Sequence, residues 1–226
     1  MNLSGPDVQA LFVSLKLASV TVAILLALGA PLAWWLASSQ SRWKALVEAA
    51  VSLPLVLPPS VLGFYLLLAM GAGGPMGPVL HWLEVDTLAF TFWGLVLGSL
   101  VYSLPFVVQP LQTAFQRIDS RLLEVAATMG AGPVDRFVSV VLPGTRSGWI
   151  RAAALGFAHT LGEFGVVLMI GGNIPGETRV ASIAIYNHVE AMDYSSAHRL
   201  AGMLVAISLV MMLLVYWYGR EPGRGE

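Results

Sequence analysis

Five apolar runs, each close to the length that crosses a bilayer, constrain this chain more than any other feature. They cover residues 10–37, 49–70, 87–109, 148–171 and 200–219. About 20 apolar residues suffice for a helix to cross the hydrocarbon core, and a helix pairs its own backbone groups there. Charged residues make up 11% of the chain, against roughly 25% in soluble domains. The sequence therefore predicts an all-α, multi-pass membrane protein in which residues 1–226 form a single domain.

Basic residues collect on one side of these runs, namely Arg42, Lys44, Arg117, Arg121, Arg136, Arg146, Arg220 and Arg224. The other side carries six acidic residues but only Arg179 and Arg199 as fixed positive charges. Because Lys and Arg are retained in the cytoplasm, this asymmetry predicts an outer N-terminus, an inner C-terminus and a cytoplasmic segment at residues 115–146. The first run is longer than a signal peptide core of about 7–15 residues and has no early basic residue, so we expect it to stay as a helix.

Composition also excludes several classes of function. The chain has no cysteine and a net charge of −1, which argues against disulfides, a thiolate metal site and nucleic-acid binding. His159 and Glu163 could serve acid–base chemistry, but no nucleophile or metal cluster accompanies them, so a membrane enzyme is disfavoured. No internal inverted repeat is evident, which disfavours an ATP-independent secondary transporter. No metal site and no cofactor bound by this chain are predicted.

The segment 115–146, called the elbow segment, contains signals for two short helices. Asp119 or Ser120 can cap a first helix that runs to about Met129, and Gly130 is suited to end it. Pro133 fits the first turn of a second helix.

The first of these helices has an apolar face. Leu122, Val125, Ala126 and Met129 recur at helical spacing, so this face could enter a groove on a partner. The alternative is an amphipathic helix that rests on the inner membrane surface or on the ends of its own spans.

The elbow segment resembles the EAA signature of permease subunits of binding-protein-dependent ABC importers. The match rests on Phe115, Glu124, Ala126, Gly130, Ala131, Phe137, Leu142 and Pro143; Val125 stands where the family often has Ala. The resemblance implies the type I importer permease fold and a first helix that couples to an ATPase. The residues expected to form this coupling surface are Leu122, Glu124, Val125, Ala126, Ala127, Met129, Gly130, Leu142 and Pro143. Because the chain lacks a G-x-x-x-x-G-K-[ST] loop, ATP and Mg²⁺ are expected on the partner ATPase.

The fourth run contains two polar residues near its middle, His159 and Glu163, which helical spacing would place on one face. A charge at the centre of a membrane helix costs at least about 2.5 kcal/mol, so such residues usually face a bundle interior or an aqueous cavity. Glu163 could pair with His159 or with Lys16. Three roles stay open: a pair that orients helices, a gate, and a proton relay. The pathway or gate candidates are His159, Gly162, Glu163, Gly165 and Lys16.

Residues 172–198 predict an outer loop with a short amphipathic helix at 178–188. The run 159–194 resembles the sulfate and molybdate permease family, through Leu-Gly-Glu-Phe-Gly at 161–165 and Gly-Asn-Ile-Pro-Gly at 172–176. The resemblance implies molybdate import, with sulfate, thiosulfate or tungstate as alternatives. It also implies a second copy of this chain, two ATPase subunits, a periplasmic or lipid-anchored oxyanion-binding protein, and a bacterial inner-membrane location in the lipid bilayer.

Overall fold

The computed structural model describes residues 4–71, 73–82 and 84–218, and these residues form helices and turns without a strand. Arg220 and Arg224, two of the basic residues used to predict orientation, lie outside the described residues. The same holds for the last position of the fifth predicted run.

Twelve α-helices follow one another along the described chain, with a 3₁₀ turn after α2 and a π-helical turn after α7. The helices are α1 (Gly5–Ser38), α2 (Lys44–Ser52), α3 (Pro59–Met70), α4 (Gly77–Trp82), α5 (Phe92–Gln116), α6 (Ser120–Thr128), α7 (Pro133–Arg136), α8 (Leu142–Gly144), α9 (Arg146–Leu161), α10 (Gly165–Gly171), α11 (Ala181–Glu190) and α12 (Tyr194–Tyr218).

Three helices, α1, α5 and α12, are long and apolar enough to cross a membrane. Two bent pairs bring the number to five when each pair counts as one span: α2 with α3, bent by 109°, and α9 with α10, bent by 61°. These five units correspond to the five predicted runs. The bend after α2 falls at Pro54, Pro58 and Pro59, where the missing N–H groups interrupt helical bonding.

Aromatic residues mark the end of the bundle at which α1 and α5 finish, called the elbow end. Trp34 of α1 packs edge-on against Phe115 of α5 at 5.4 Å and against Phe137 of the elbow segment at 5.9 Å. The opposite end is closed by Ala10 and Leu11 of α1 against α11 and α12. The elbow segment therefore packs against the end of the bundle at which α1 and α5 finish.

The third span differs from its prediction at both ends. Helix α5 begins at Phe92, because Thr91 caps it by accepting a hydrogen bond from the Gly94 N–H at 3.1 Å. It then continues past Pro110 to Gln116, since proline can remain inside a helix whose neighbours hold it in place. The predicted run, 87–109, placed this helix too early in the chain.

Candidate functional site

The elbow segment contains the two helices that its sequence signals predict. Asp119 caps α6, since its carboxylate accepts a hydrogen bond from the Arg121 N–H at 2.9 Å. Gly130 follows the helix with φ = +88°, a left-handed conformation that glycine adopts without strain. Pro133 opens α7, which runs on through the π-helical turn into α8.

Helix α6 buries none of its residues and presents apolar side chains to its surroundings. Leu122 is 56% exposed, Val125 57% and Met129 83%. Ala126 is half-buried, and Leu123 packs against the core at the elbow end. The other predicted coupling residues, Glu124, Ala127, Gly130, Leu142 and Pro143, are exposed as well. Residues 4–71, 73–82 and 84–218 thus leave an apolar surface of the elbow segment uncovered.

The polar residues of the fourth span lie at a break and not on one helical face. Helix α9 ends at Leu161, Gly162 caps it, and α10 begins only at Gly165. His159 therefore lies in the last turn of α9, whereas Glu163 lies outside any helix. The prediction that they share one helical face is wrong. The physical reason is that the chain leaves helical geometry at Gly162 to make the 61° bend.

The pairs that the sequence suggested for Glu163 are also wrong. Its Oε2 accepts a hydrogen bond from the Ser99 hydroxyl at 2.8 Å, whereas His159 Nδ1 lies 2.9 Å from the Ser103 hydroxyl. Both partners come from α5, one helical turn apart. Lys16 instead lies over the Phe92 ring, with its Nζ 4.2 Å from the ring centroid.

The surroundings of Glu163 are closed. Glu163 is 4% exposed, and Ser99 and Ser103 are completely buried. The Ser182 hydroxyl of α11 donates to the Glu163 backbone carbonyl at 2.5 Å. The second carboxyl oxygen, Oε1, is buried without a hydrogen-bond partner among the described residues.

The breaks of the two bent spans lie against each other. A Cβ atom placed on Gly165 would sit 2.8 Å from Cβ of Pro59, and one placed on Gly63 would sit 2.8 Å from Cβ of Met169. Helices α3 and α10 thus approach so closely that only glycine fits at these positions. Glu163 lies in the break between α9 and α10, two residues before Gly165, which contacts Pro59 at the other break.

Most of the sequence of this chain is similar to the sequences of known transport proteins. Residues 29–221 match the family described as binding-protein-dependent transport system inner membrane component. The chain belongs to this family. With its apolar spans, it is a multi-pass protein of the inner membrane.

Several relatives of this permease align with nearly its whole length. It is 57% identical over 216 residues to the molybdenum transport system permease protein ModB of Azotobacter vinelandii, covering 96% of both chains. It is 38% identical over 222 residues to the protein of the same name from Escherichia coli K12, covering 97% of this chain and 96% of the relative. A probable sulfate transport system permease protein of Zygnema circumcarinatum is 33% identical over 204 residues, covering 90% of this chain and 69% of the relative.

Solved structures agree on the fold. A bacterial alginate ABC transporter crystallised with its pentasaccharide-bound periplasmic protein matches with a TM-score of 0.77 at 17% identity, covering 96% of this chain and 79% of that chain. The MetNI methionine ABC transporter in an inward-facing form matches with a TM-score of 0.72 at 17% identity, covering 96% of this chain and 98% of that chain. The permease therefore has the type I ABC importer fold.

Sequence reasoning missed a polar contact at the end opposite the elbow. His188 Nε2 of α11 lies 2.8 Å from Asp7 Oδ1 near the beginning of α1, and the Ala181 N–H donates to Ser14 at 2.7 Å. A helix, α11 (Ala181–Glu190), lies in the stretch 178–188 where the sequence predicted one, and its outer location stays a prediction. Asp193 follows it, and hydrogen bonds from Ser196 lower the pKa of its carboxyl.

Proposed function

We propose that this chain is the membrane-spanning permease subunit of an ATP-driven importer for molybdate. The observation that carries the proposal is the 57% identity, over 96% of both chains, to a molybdenum transport permease. The second support is the uncovered apolar face of α6, which a transport subunit without its own phosphate-binding loop needs for contact with an ATPase. The chain itself is non-catalytic, and ATP and Mg²⁺ bind to the ATPase.

The elbow end faces the cytoplasm in this proposal, with the N-terminus outside, because the basic residues gather at that end. Leu122, Val125 and Met129 enter an apolar groove on the ATPase, as an amphipathic helix does in a complementary groove. Two copies of this chain enclose the pathway, and each contacts one ATPase subunit. Closure of the ATPase pair then moves α6, and the bundle follows through the aromatic contacts of Phe115 and Phe137.

The choice of cargo belongs to the binding protein in this scheme. A periplasmic or lipid-anchored protein captures the oxyanion and delivers it, so the permease needs only a weak path. A sulfate importer is the second candidate, because a relative described as a probable sulfate permease is 33% identical and covers 90% of this chain.

The test is reconstitution of the complete importer. The chain is co-purified with its ATPase and binding protein, placed in proteoliposomes, and assayed for ATP hydrolysis with molybdate, tungstate or sulfate on the binding protein. We expect molybdate to stimulate hydrolysis and to enter the vesicles. Stimulation by sulfate alone would replace molybdate with the second candidate.

Within this function, Glu163 acts as part of the gate. It lies where the two broken spans meet, and its Oε1 has no hydrogen-bond partner among the described residues. An unsatisfied buried polar atom costs about 1–3 kcal/mol, so a rearrangement that supplies a partner is favoured. Helices α3 and α10 both begin at breaks, at Pro59 and Gly165, and movement of α10 against α3 is the rearrangement proposed.

Glu163→Gln tests the gate in the same vesicles. The amide keeps an acceptor for Ser99 but changes the group that rearranges, so we expect transport per ATP hydrolysed to fall at least about fivefold, the lower range of energetic coupling between sites. Glu177→Gln, an exposed glutamate outside the break, is the matched control and should transport normally. Normal stimulated hydrolysis and normal transport in Glu163→Gln would remove Glu163 from the gate.

A further inference from the structure

A small cavity lies at the elbow end, between the last turns of α5 and the first turns of α9. Its volume is about 150 Å³, and its wall includes Thr113 and Arg117 on one side and Thr145, Gly148 and Arg151 on the other. Gly148 packs directly against Ala114, so the two helices are held together beside the cavity. The wall is therefore built on two packed helices and not on a free loop.

The two arginines supply the charged hydrogen-bond donors of this cavity, which Ser147 also lines. Thr113 donates its hydroxyl to the Gln109 carbonyl at 2.9 Å, and Thr145 donates to the Val141 carbonyl at 2.7 Å, so neither hydroxyl hydrogen points into the cavity. Arg117 and Arg151 are exposed, and neither forms an ion pair with any described residue. Each guanidinium carries five N–H donors in a planar fork, a geometry that matches oxyanions.

Acidic residues do not neutralise this pair. The lining of the cavity, all within the described chain, includes no Asp or Glu. Asp119 lines a larger neighbouring cavity of about 660 Å³ together with Arg117. One oxygen of Asp119 is already occupied by the Arg121 N–H as the cap of α6. Two positive charges therefore face the small cavity without a facing carboxylate.

We infer that this cavity binds a tetrahedral dianion between Arg117 and Arg151. In the proposed function, on which this step rests, the cavity is the last site that an imported oxyanion occupies before release. Both side chains are solvent-exposed, so binding is weak and sensitive to salt, as release into the cytoplasm requires. The neighbouring cavity shares Arg117 and reaches Leu122 of α6, which places the anion beside the segment that the ATPase moves.

Equilibrium dialysis of labelled molybdate against the full-length chain in detergent tests the site without ATPase or binding protein. We expect saturable binding that sulfate displaces and equimolar chloride does not. Arg117→Gln and Arg151→Gln should each weaken binding about tenfold or more, because each removes charge-assisted hydrogen bonds. Arg117→Lys, which keeps the charge but not the fork, should fall between wild type and Arg117→Gln.

Arg146→Gln is the matched control. It changes the same residue type at the beginning of α9, and Arg146 does not line the cavity. Equal loss of binding in Arg146→Gln, or absence of saturable binding in the wild type, would overturn the inference.

The phosphate of an anionic lipid headgroup is also a tetrahedral group with acceptor oxygens, although it carries one charge, so the measurement is repeated in nanodiscs of zwitterionic and of anionic lipid. We expect molybdate to bind in zwitterionic nanodiscs. Arginine variants that alter only the retention of anionic lipid would assign the cavity to lipid and overturn the inference.

The two hypotheses fail separately. Molybdate import by the reconstituted complex, with no anion binding by the isolated chain, removes the cavity site and leaves the proposed function. Binding that depends on both arginines, in a complex that imports only another cargo, leaves the cavity and changes the function.

Discussion

Helix α6 and the break between α9 and α10 are opposite departures from the ordinary distribution of residues. Helix α6 exposes Leu122, Val125 and Met129 and buries nothing. The break buries Glu163 with polar groups around it. Apolar residues normally lie inside and charged residues outside. The exposed apolar side chains of α6 therefore need cover, and the buried carboxyl of Glu163 needs hydrogen bonds.

The difference lies in where each region finds its partners. At the break, α5 supplies Ser99 to Glu163 Oε2 and Ser103 to His159, and α11 supplies Ser182 to the Glu163 carbonyl. Glu163 Oε1 alone among these atoms has no hydrogen-bond partner in the described residues. Within the described residues Leu123 packs α6 against the core, whereas Leu122, Val125 and Met129 remain exposed. The break is therefore satisfied largely within the bundle, whereas α6 forms half of an interface only in the proposed function.

The largest expected effect comes from placing a charge on the face of α6. Val125→Asp should weaken co-purification with the ATPase at least about thirtyfold, as for an interface hot spot, because a carboxylate would enter an apolar groove. The melting temperature of the chain alone should not change, since Val125 is 57% exposed. Ser120→Asp, on an exposed position away from the face, is the control for added charge. Equal loss of ATPase in both variants would refute the assigned face.

A smaller effect is expected from filling the contact between the two breaks. Gly165→Ala places Cβ 2.8 Å from Cβ of Pro59, whereas Gly162→Ala meets its nearest atom, the Ala158 carbonyl oxygen, at 3.6 Å. Overpacking costs about 1–3 kcal/mol, so thermal melting in detergent should show a lower melting temperature for Gly165→Ala only. ATPase binding should be retained in both variants. Equal melting temperatures would show that α3 and α10 separate without cost.

The parts that local signals decide were predictable from the sequence. Asp119, Gly130 and Pro133 act on neighbouring backbone, so the two elbow helices follow from the sequence, and the structure confirms them. Apolar run length likewise located the spans. The ends of α5 were misplaced because Thr91 caps the helix only where the loop before it packs, and hydropathy does not report that packing.

The environment of Glu163 was not predictable in the same way. Its partner, Ser99, lies 64 residues away, and the pairing depends on how α5 is rotated against the break. Two serines spaced one turn apart in the third apolar run are the available signal, but serine is common in membrane helices. The pairing with Lys16 failed because the sequence does not give the direction of a side chain around its helix, and Lys16 lies over the Phe92 ring.

The smallest predicted effect compares α6 with a packed helix of the bundle, α5, through two helix caps of similar local strength. Asp119 caps α6 and Thr91 caps α5, each by accepting one backbone N–H. Replacement of such a cap by Ala costs about 1 kcal/mol. In Asp119→Ala the cost falls on a helix without a fully buried residue, so the melting temperature should change little while ATPase affinity drops about fivefold. In Thr91→Ala it falls on a packed helix, so the melting temperature should drop while ATPase affinity is kept. A melting temperature lowered equally by both changes would mean that α6 unfolds together with the bundle, and α6 would then be a structural helix in place of half an interface.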